Sequence, residues 1–122
     1  MTNEITLAKQ EFQLDLDAEG INVLEYVPER IVPPIVIINV ASNYLTPNSL
    51  SKEYEMNLEL VAVAATATNK QATEKLDELI EAVILALPAY AQLLRVASPY
   101  NLQTNNAEYL AANIYITLQI TI

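Results

Sequence analysis

The 122-residue sequence contains no cysteine, no histidine and no tryptophan, and it has a single glycine, Gly20. Without cysteine there is neither a disulfide nor thiolate chemistry. Without histidine the chain lacks the commonest general base and the commonest metal ligand. One glycine is too few for a loop that holds phosphate groups with its backbone amides. We therefore expect a protein that is not an enzyme and that uses no cofactor and no metal.

Positive charge is also scarce, because 15 acidic residues face 6 basic ones and the formal net charge is −9. Such a surface repels the phosphates of DNA and of anionic membranes. No apolar run reaches the roughly 18 residues that a membrane span requires. The first ten residues lack the apolar core of a secretory signal. We expect a protein made in the cytoplasm, with no membrane partner.

Hydrophobic residues make up 52% of the chain, which is enough for a packed core. The length predicts one domain over residues 1–122. Alternating polarity predicts strands over 21–27, 54–65 and 110–122. A short apolar run at 35–40 predicts a central strand, and 92–96 predicts a short one. The polar segments 41–53 and 97–106 predict long loops.

Helical spacing of apolar residues predicts two helices. The first spans residues 3–18 and stops before Gly20, with Ile5, Ala8, Phe12 and Leu16 on its buried face. The second is capped by Thr68 or Asn69 and ended by Pro88. Its apolar positions are Ala72, Leu76, Leu79, Ile80, Val83, Ile84 and Leu87. The pattern predicts an α+β fold: a mainly antiparallel sheet of four to five strands with two helices packed on one face.

The strand over residues 110–122 is long and carries no charge. Its even-numbered residues are apolar, and its odd-numbered residues are mostly polar. A strand of this kind is an aggregation hazard unless something covers it. The strand raises the question of what it pairs with, and of how much of that partner lies in another chain.

Two acidic clusters resemble chemical sites. The stretch DLDAEG, residues 15 to 20, is similar to the first half of an EF-hand loop. The twelfth position of such a loop requires an acid, but here it is Tyr26, so the stretch indicates an acidic helix end. The second helix carries Glu74, Asp77, Glu78 and Glu81, which indicate a solvated face rather than a catalytic or metal site.

Tyrosine is the dominant aromatic residue, with seven tyrosines against one phenylalanine. Tyr44, Tyr100 and Tyr109 fall in or beside the two polar segments. Tyrosine is enriched at protein interfaces because its ring is apolar and its hydroxyl is polar. Two interpretations are open: these residues contact neighbouring subunits, or they serve ordinary core edges and loop ends.

The order of several stretches resembles the tail terminator (tail completion) proteins of long-tailed bacteriophages. These stretches are VPERIVPPIVIINV at 27 to 40, ATEKLDELIEAVILAL at 72 to 87, and EYLAANIYITLQITI at 108 to 122. A long strand lies between the first two. The related head-completion and neck connector proteins share the same general arrangement and are the alternative.

The resemblance implies a virion structural protein that forms a ring, usually of six subunits, at the head-proximal end of the tail tube. The ring ends tube polymerisation and forms the surface that docks to the head. Its partners are copies of itself, the tail tube protein and the head–tail connector (stopper) protein, and genomic DNA passes through without specific binding. The resemblance supplies no catalytic residue.

Within such a ring, Glu55 and Glu59, which share the polar face of one strand, are predicted to line the channel and repel DNA. The competing interpretation is that the negative charge keeps a β-rich protein soluble. A different class also stays open: a small cytosolic ligand-binding or enzymatic domain, which requires a pocket with convergent polar groups. A non-viral oligomeric adaptor is a further alternative.

Overall fold

Two helices lie on one face of a six-stranded sheet. The computed structural model describes residues 3–47, 52–65, 70–104 and 107–122. In chain order the elements are α1 (Glu4–Ala18), β1 (Val23–Leu24), β2 (Ile35–Pro47), β3 (Glu53–Ala65), α2 (Lys70–Ala86), β4 (Ala91–Val96), β5 (Tyr100–Gln103) and β6 (Glu108–Thr121). The predicted α+β class is confirmed, but the sheet has six strands rather than four to five.

The strand order is β1-β2-β3-β6-β4, and β5 pairs with β6 beyond the end of β4. Every pair is antiparallel except β1 with β2, which is parallel. The long final strand β6 pairs with β3 along one edge and with β4 and β5 along the other. Both backbone edges of this strand are therefore paired within its own chain, and coverage of its second face by other chains stays a prediction.

The main core lies between the sheet and the two helices. The even-numbered residues of β3, and those of β6 from Leu110 onward, point toward the helices and are apolar, as the alternation predicts. Met56, Leu58, Leu60, Ile114, Ile116 and Leu118 are fully buried there. Tyr54 lies on the same side and is partly buried.

Helix α1 begins and ends with capping hydrogen bonds. The Asn3 side-chain Oδ1 accepts a hydrogen bond from the Thr6 amide at 2.7 Å. At the other end the amides of Gly20 and Ile21 donate to the carbonyls of Asp17 and Leu16, the Schellman arrangement. Gly20 has a φ of +85°, which a residue without Cβ adopts readily. The predicted stop signal is confirmed.

The predicted buried faces of both helices are confirmed. Phe12 and Leu16 of α1 are fully buried, and Ile5 and Ala8 pack against the same core. On α2, Ala72, Leu76 and Val83 are buried, whereas Leu79, Ile80 and Leu87 are half-buried and Ile84 is exposed. Glu74, Asp77, Glu78 and Glu81 are exposed, as predicted. The predicted cap residues Thr68 and Asn69 lie outside the described residues.

Three segments differ from the sequence-based expectation. The strand expected over 21–27 pairs only at Val23–Leu24. The strand expected over 35–40 continues to Pro47, because residues 45 to 47 pair with β3 beyond a bulge that begins after Val40. The loop expected over 97–106 contains β5, which pairs with β6. The remaining strand predictions, over 54–65, 92–96 and 110–122, are confirmed to within a few residues.

Candidate functional site: the helix-free face of the sheet

The side of the sheet away from the helices, called here the helix-free face, carries the odd-numbered residues of β3 and β6. It divides into an apolar end and a polar zone. At the apolar end the strands are apolar on both sides, because a second cluster of side chains is buried there. Its members are Ile31, Ile35, Ile37, Val61, Val63, Tyr109 and Ala111.

The segment between β1 and β2 covers this apolar end. Ile31 packs into the cluster, and its carbonyl accepts a hydrogen bond from the Tyr109 hydroxyl at 3.2 Å. The Tyr109 side chain is only 7% exposed. A ring buried in its own subunit is a poor candidate for contact with a neighbour, so the packing favours a core role for Tyr109.

The polar zone begins where a row of side chains crosses four strands. Glu59 of β3 lies opposite Asn39 of β2 and Tyr115 of β6. Arg95 of β4 lies opposite Tyr115, and its guanidinium carbon is 4.2 Å from the centre of that ring. Such a distance is typical of a cation–π contact. Tyr115 therefore separates the two opposite charges of the row.

Thr117 lies at the middle of the polar zone, opposite Asn57 of β3 and Gln92 of β4. The Asn57 amide nitrogen donates to the Asn43 carbonyl at 2.6 Å and lies 3.1 Å from the Thr46 hydroxyl. Thr117 is only 3% exposed, and its hydroxyl has no hydrogen-bond partner among the described residues. A buried hydroxyl without a partner is unfavourable.

Glu55 lies on the other side of Asn57 from Glu59, opposite Thr46 and Gln119. The parity of the sequence correctly predicts that Glu55 and Glu59 share one face. They are four residues apart on one strand, a separation of about 13 Å. Both are half-buried. That they line a channel stays a prediction.

Tyr44 and Tyr100, the other two predicted interface residues, are both half-buried. Tyr44 lies in β2 rather than in a loop, and the Lys9 ammonium is 5.4 Å from its ring centre. The Tyr100 hydroxyl and the Asn113 side-chain oxygen are 2.8 Å apart. Burial, with a smaller effect from the Glu59 carboxylate, raises the pKa of the Tyr100 phenol. Their contact with a partner stays a prediction, and part of each side chain remains accessible for it.

Two clefts open on the helix-free face. One of about 270 Å³ has an apolar floor of Ile37 and Val61, with Glu59 and Tyr100 at its rim. The other, of about 750 Å³, lies between residues 27 to 31 and the segment around Tyr109, and its charged residues are Glu29 and Arg30. The titratable residues of the smaller cleft are Glu59 and Tyr100.

The described residues contain no group of three or more acidic side chains placed to hold a metal ion. Tyr26, at the decisive position of the EF-hand-like stretch, is exposed. Within the part of the chain that the structure describes, no helix has the length and apolar character needed to cross a membrane.

Comparison with known proteins gives no relative: neither a protein-family model nor a curated protein matches this chain. Sequence reasoning did not find the Arg95–Tyr115 contact or the buried Thr117 hydroxyl. Both depend on which strands become neighbours across the sheet, and the pairing of β4 with β6 over about twenty residues of intervening chain leaves no local pattern.

Proposed function

We propose that the protein is a structural virion protein that forms a ring at the head-proximal end of a phage tail tube. In this proposal it is a tail terminator: it ends tube polymerisation and forms the surface to which the head connector docks. A head-completion or neck connector protein, which is also a ring subunit, is the nearest alternative. Localisation in the virion is part of the same proposal.

The observation that carries the proposal is the asymmetry of the sheet. Both helices pack on one side, and the other side presents a half-exposed polar zone with Glu55 and Glu59 on the central strand β3. A subunit built in this way suits a ring wall, with the helices toward the outside and the acidic strands toward the channel. Carboxylates on a channel wall repel the phosphate backbone, which lets DNA pass without binding.

The location of the protein is the first test. Electron micrographs of tails carrying a labelled copy should show a closed ring at the head-proximal end only. A single copy bound at the tail end, label along the tube, or no label at all would contradict the proposal. The position of the coding gene is an independent check, since a terminator gene is expected beside genes for the tail tube and the head connector.

The role of the acidic face is tested by charge reversal. The double variant Glu55→Lys, Glu59→Lys should still fold and join rings, but DNA should leave the head more slowly, and more so at low ionic strength where charges are less screened. The matched control is Glu74→Lys, Glu78→Lys, which makes the same charge change on the exposed side of α2. Normal ejection in the first variant, or equal slowing in both, would leave only the solubility interpretation.

One observation favours a candidate of a different class, a small ligand-binding domain. The cleft of about 270 Å³ combines an apolar floor with Glu59 and Tyr100 at its rim, which suits a small cation with an apolar body. A screen of such amines by thermal shift should then find stabilising ligands that lose their effect in Glu59→Gln. A screen without hits would remove this candidate.

A further inference from the structure

Strand β4 and the part of β2 that β1 leaves uncovered each have a free backbone edge. On one side of β2, residues 39, 40 and 45 to 47 pair with β3, and residues 41 to 44 form the bulge between them. On the other side, β1 covers only residues 36 and 37. Strand β4 pairs with β6 on one side. No described residue pairs with the remaining edge of either segment. We call these two edges the β2 margin and the β4 margin.

Charged residues are scarce at both margins. Residues 31 to 51, which include β2, contain none, and residues 82 to 107, which include β4, contain only Arg95. The rest of the chain carries the other charges, 15 of them acidic. Depletion of charge marks the centre of a protein interface. In a chain with a net charge of −9, these margins are also where a second copy meets the least repulsion.

Apolar side chains are exposed at both margins, on the helix side of the sheet. Val40, opposite Leu58 on β3, is 47% exposed. Leu93 and Val96, opposite residues of β6 that face the helices, are also exposed. Leu94 forms the bulge of β4 and is 53% exposed. The helices therefore leave an apolar strip uncovered at each side of the sheet.

Strand direction and register make the two margins fit each other. Because β2, β3, β6 and β4 alternate in direction, β4 runs opposite to β2. A second copy placed alongside in the same orientation continues the antiparallel alternation. The register can be traced from β4 to β6, from β6 to β3 and from β3 to β2. It places β4 level with residues 38 to 45 of β2, the part that β1 leaves free.

We propose that β4 of one copy of this chain lies antiparallel beside residues 38 to 47 of β2 in a second copy. Val40 of one copy then covers Leu93 and Leu94 of the next. A contact between two β4 margins would bring the Arg95 side chains of the two copies together, and these carry the same charge. The β2 margin carries no charge. Since the joined surfaces differ, the contact is head-to-tail and can close into a ring.

The bulges in both strands limit this contact to one register. A bulge interrupts a ladder and discourages pairing with unrelated strands. The contact therefore depends on the fit of side chains as well as on backbone hydrogen bonds. The closed ring rests on the proposed function, but the contact between margins does not.

Cross-linking tests the contact directly, since the chain has no natural cysteine. Val40→Cys and Leu94→Cys variants of different mass are mixed at about 1 mM, where even weak contacts are half occupied, and treated with a short bismaleimide. The mixed product should dominate over both single-variant products. Leu14→Cys, on α1 and 65% exposed, is the control with an exposed leucine away from the margins.

Two outcomes of this experiment overturn the proposal. A dominant product between two Leu94→Cys chains would mean that β4 contacts β4. A yield of cross-linked product no higher than that of Leu14→Cys would mean that the margins do not bind each other. Cysteine is small and apolar, so these variants should keep the fold, and thermal melting checks that they do.

Lysine variants give an independent measurement. Leu94→Lys and Val40→Lys each break one margin and should each lower the association constant about tenfold or more, whereas Leu14→Lys should not change it. A mixture of the two margin variants should form dimers and nothing larger, because only one intact pair of margins remains. Mixtures that stay monomeric, or single variants that associate like the wild type, would contradict the proposal.

The results separate this inference from the proposed function. Mixed cross-links in free protein, with no protein found on tails, would remove the tail role and keep the contact. A ring on tails whose subunits do not cross-link through these positions would remove the contact and keep the tail role.

Discussion

The two faces of the sheet use the same strands in different ways. On the helix side, β3 is apolar along its length and β6 is apolar from Leu110 onward, and six large side chains there are fully inaccessible. On the helix-free side the same strands are polar from Glu55 to Glu59 and become apolar only from Val61 onward. That change coincides with the segment that carries Ile31 over the sheet.

The comparison shows that polarity on each face follows what lies over it. Two helices cover one face along its length, so the alternation of β3 supplies an apolar residue at each even position. One short segment covers the end of the other face, and there β3 contributes the apolar residues Val61 and Val63. The uncovered remainder keeps Glu55, Asn57 and Glu59, and this is the surface available for function.

Removal of a large buried side chain should show the difference between the two faces of the sheet most strongly. Leu58→Ala, on the helix side, should lower the free energy of unfolding by about 2–5 kcal/mol, because the surrounding core is closed and the cavity persists. Ile37→Ala, in the small cluster beside the clefts, should cost near the lower end of that range. Urea unfolding measures both, with Leu14→Ala expected to stay within about 0.5 kcal/mol of the wild type. A larger loss of unfolding free energy for Ile37→Ala than for Leu58→Ala would contradict the expectation that the helix side is the more closed of the two faces.

Removal of the Tyr109 hydroxyl tests how firmly the segment between β1 and β2 is held over the apolar end. Tyr109→Phe keeps the ring but leaves the Ile31 carbonyl without its donor, and it should cost about 1 kcal/mol. Tyr100→Phe should cost less, because its partner Asn113 is half-buried and can bond to water instead. Equal losses of unfolding free energy for the two variants, measured with urea, would mean that the Ile31 carbonyl bonds to water as easily as the Asn113 side chain does.

The polar zone should contain one site where a substitution stabilises the fold. Thr117→Val replaces a buried hydroxyl that has no partner among the described residues by a methyl group. We expect a gain of up to about 1 kcal/mol in the free energy of unfolding. Thr121→Val, on the same face but exposed, should have no effect. A loss of stability at position 117 would show that the hydroxyl is satisfied.

The smallest expected effect concerns the attachment of α1 and appears only at high pH. The Tyr90 hydroxyl donates a hydrogen bond to the Asp15 carboxylate of α1. Burial, followed by this hydrogen bond, raises the pKa of Tyr90. The unfolded chain therefore loses this proton first, and the contribution of Tyr90 to stability is complete below the ordinary tyrosine pKa of about 10 and declines above it.

Thermal melts between about pH 9 and about pH 11 measure this effect. The wild type should lose more stability over this range than Tyr90→Phe does. Asp15→Asn, which removes the carboxylate, should also weaken the pH dependence. Identical slopes in all three proteins would show that the hydrogen bond does not hold α1 to the sheet.

Much of the fold could be predicted from the sequence, because local patterns determine it. Helical spacing located the buried faces of α1 and α2, and alternation located β3 and β6. The parity of β3 also placed Glu55 and Glu59 on one face. These features depend on residues close together in the chain, and the sequence displays them directly.

The rest depends on contacts between distant residues. Residues 41 to 47 include several polar side chains and end in proline, which indicates a loop, yet they extend β2 because residues 45 to 47 pair with β3 beyond the bulge. Val27 alternates like a strand residue, yet β1 ends at Leu24. The long strand predicted over 110–122 resembled an exposed edge, but β6 lies inside the sheet, where both of its edges are paired. No local pattern states which strands become neighbours.

The position of β6 also determines the order in which the fold can be completed. Its partner β3 is made much earlier, and Leu58 pairs with Ile116 only after the whole of α2, β4 and β5 has been synthesised. Until then the apolar side of β3 lacks a neighbour on one edge. Such long-range pairing slows folding, since a large loop must close before the contact forms. On the ribosome, Met56, Leu58 and Leu60 therefore stay partly uncovered until β6 emerges, and this interval is when the chain is most exposed to misassembly.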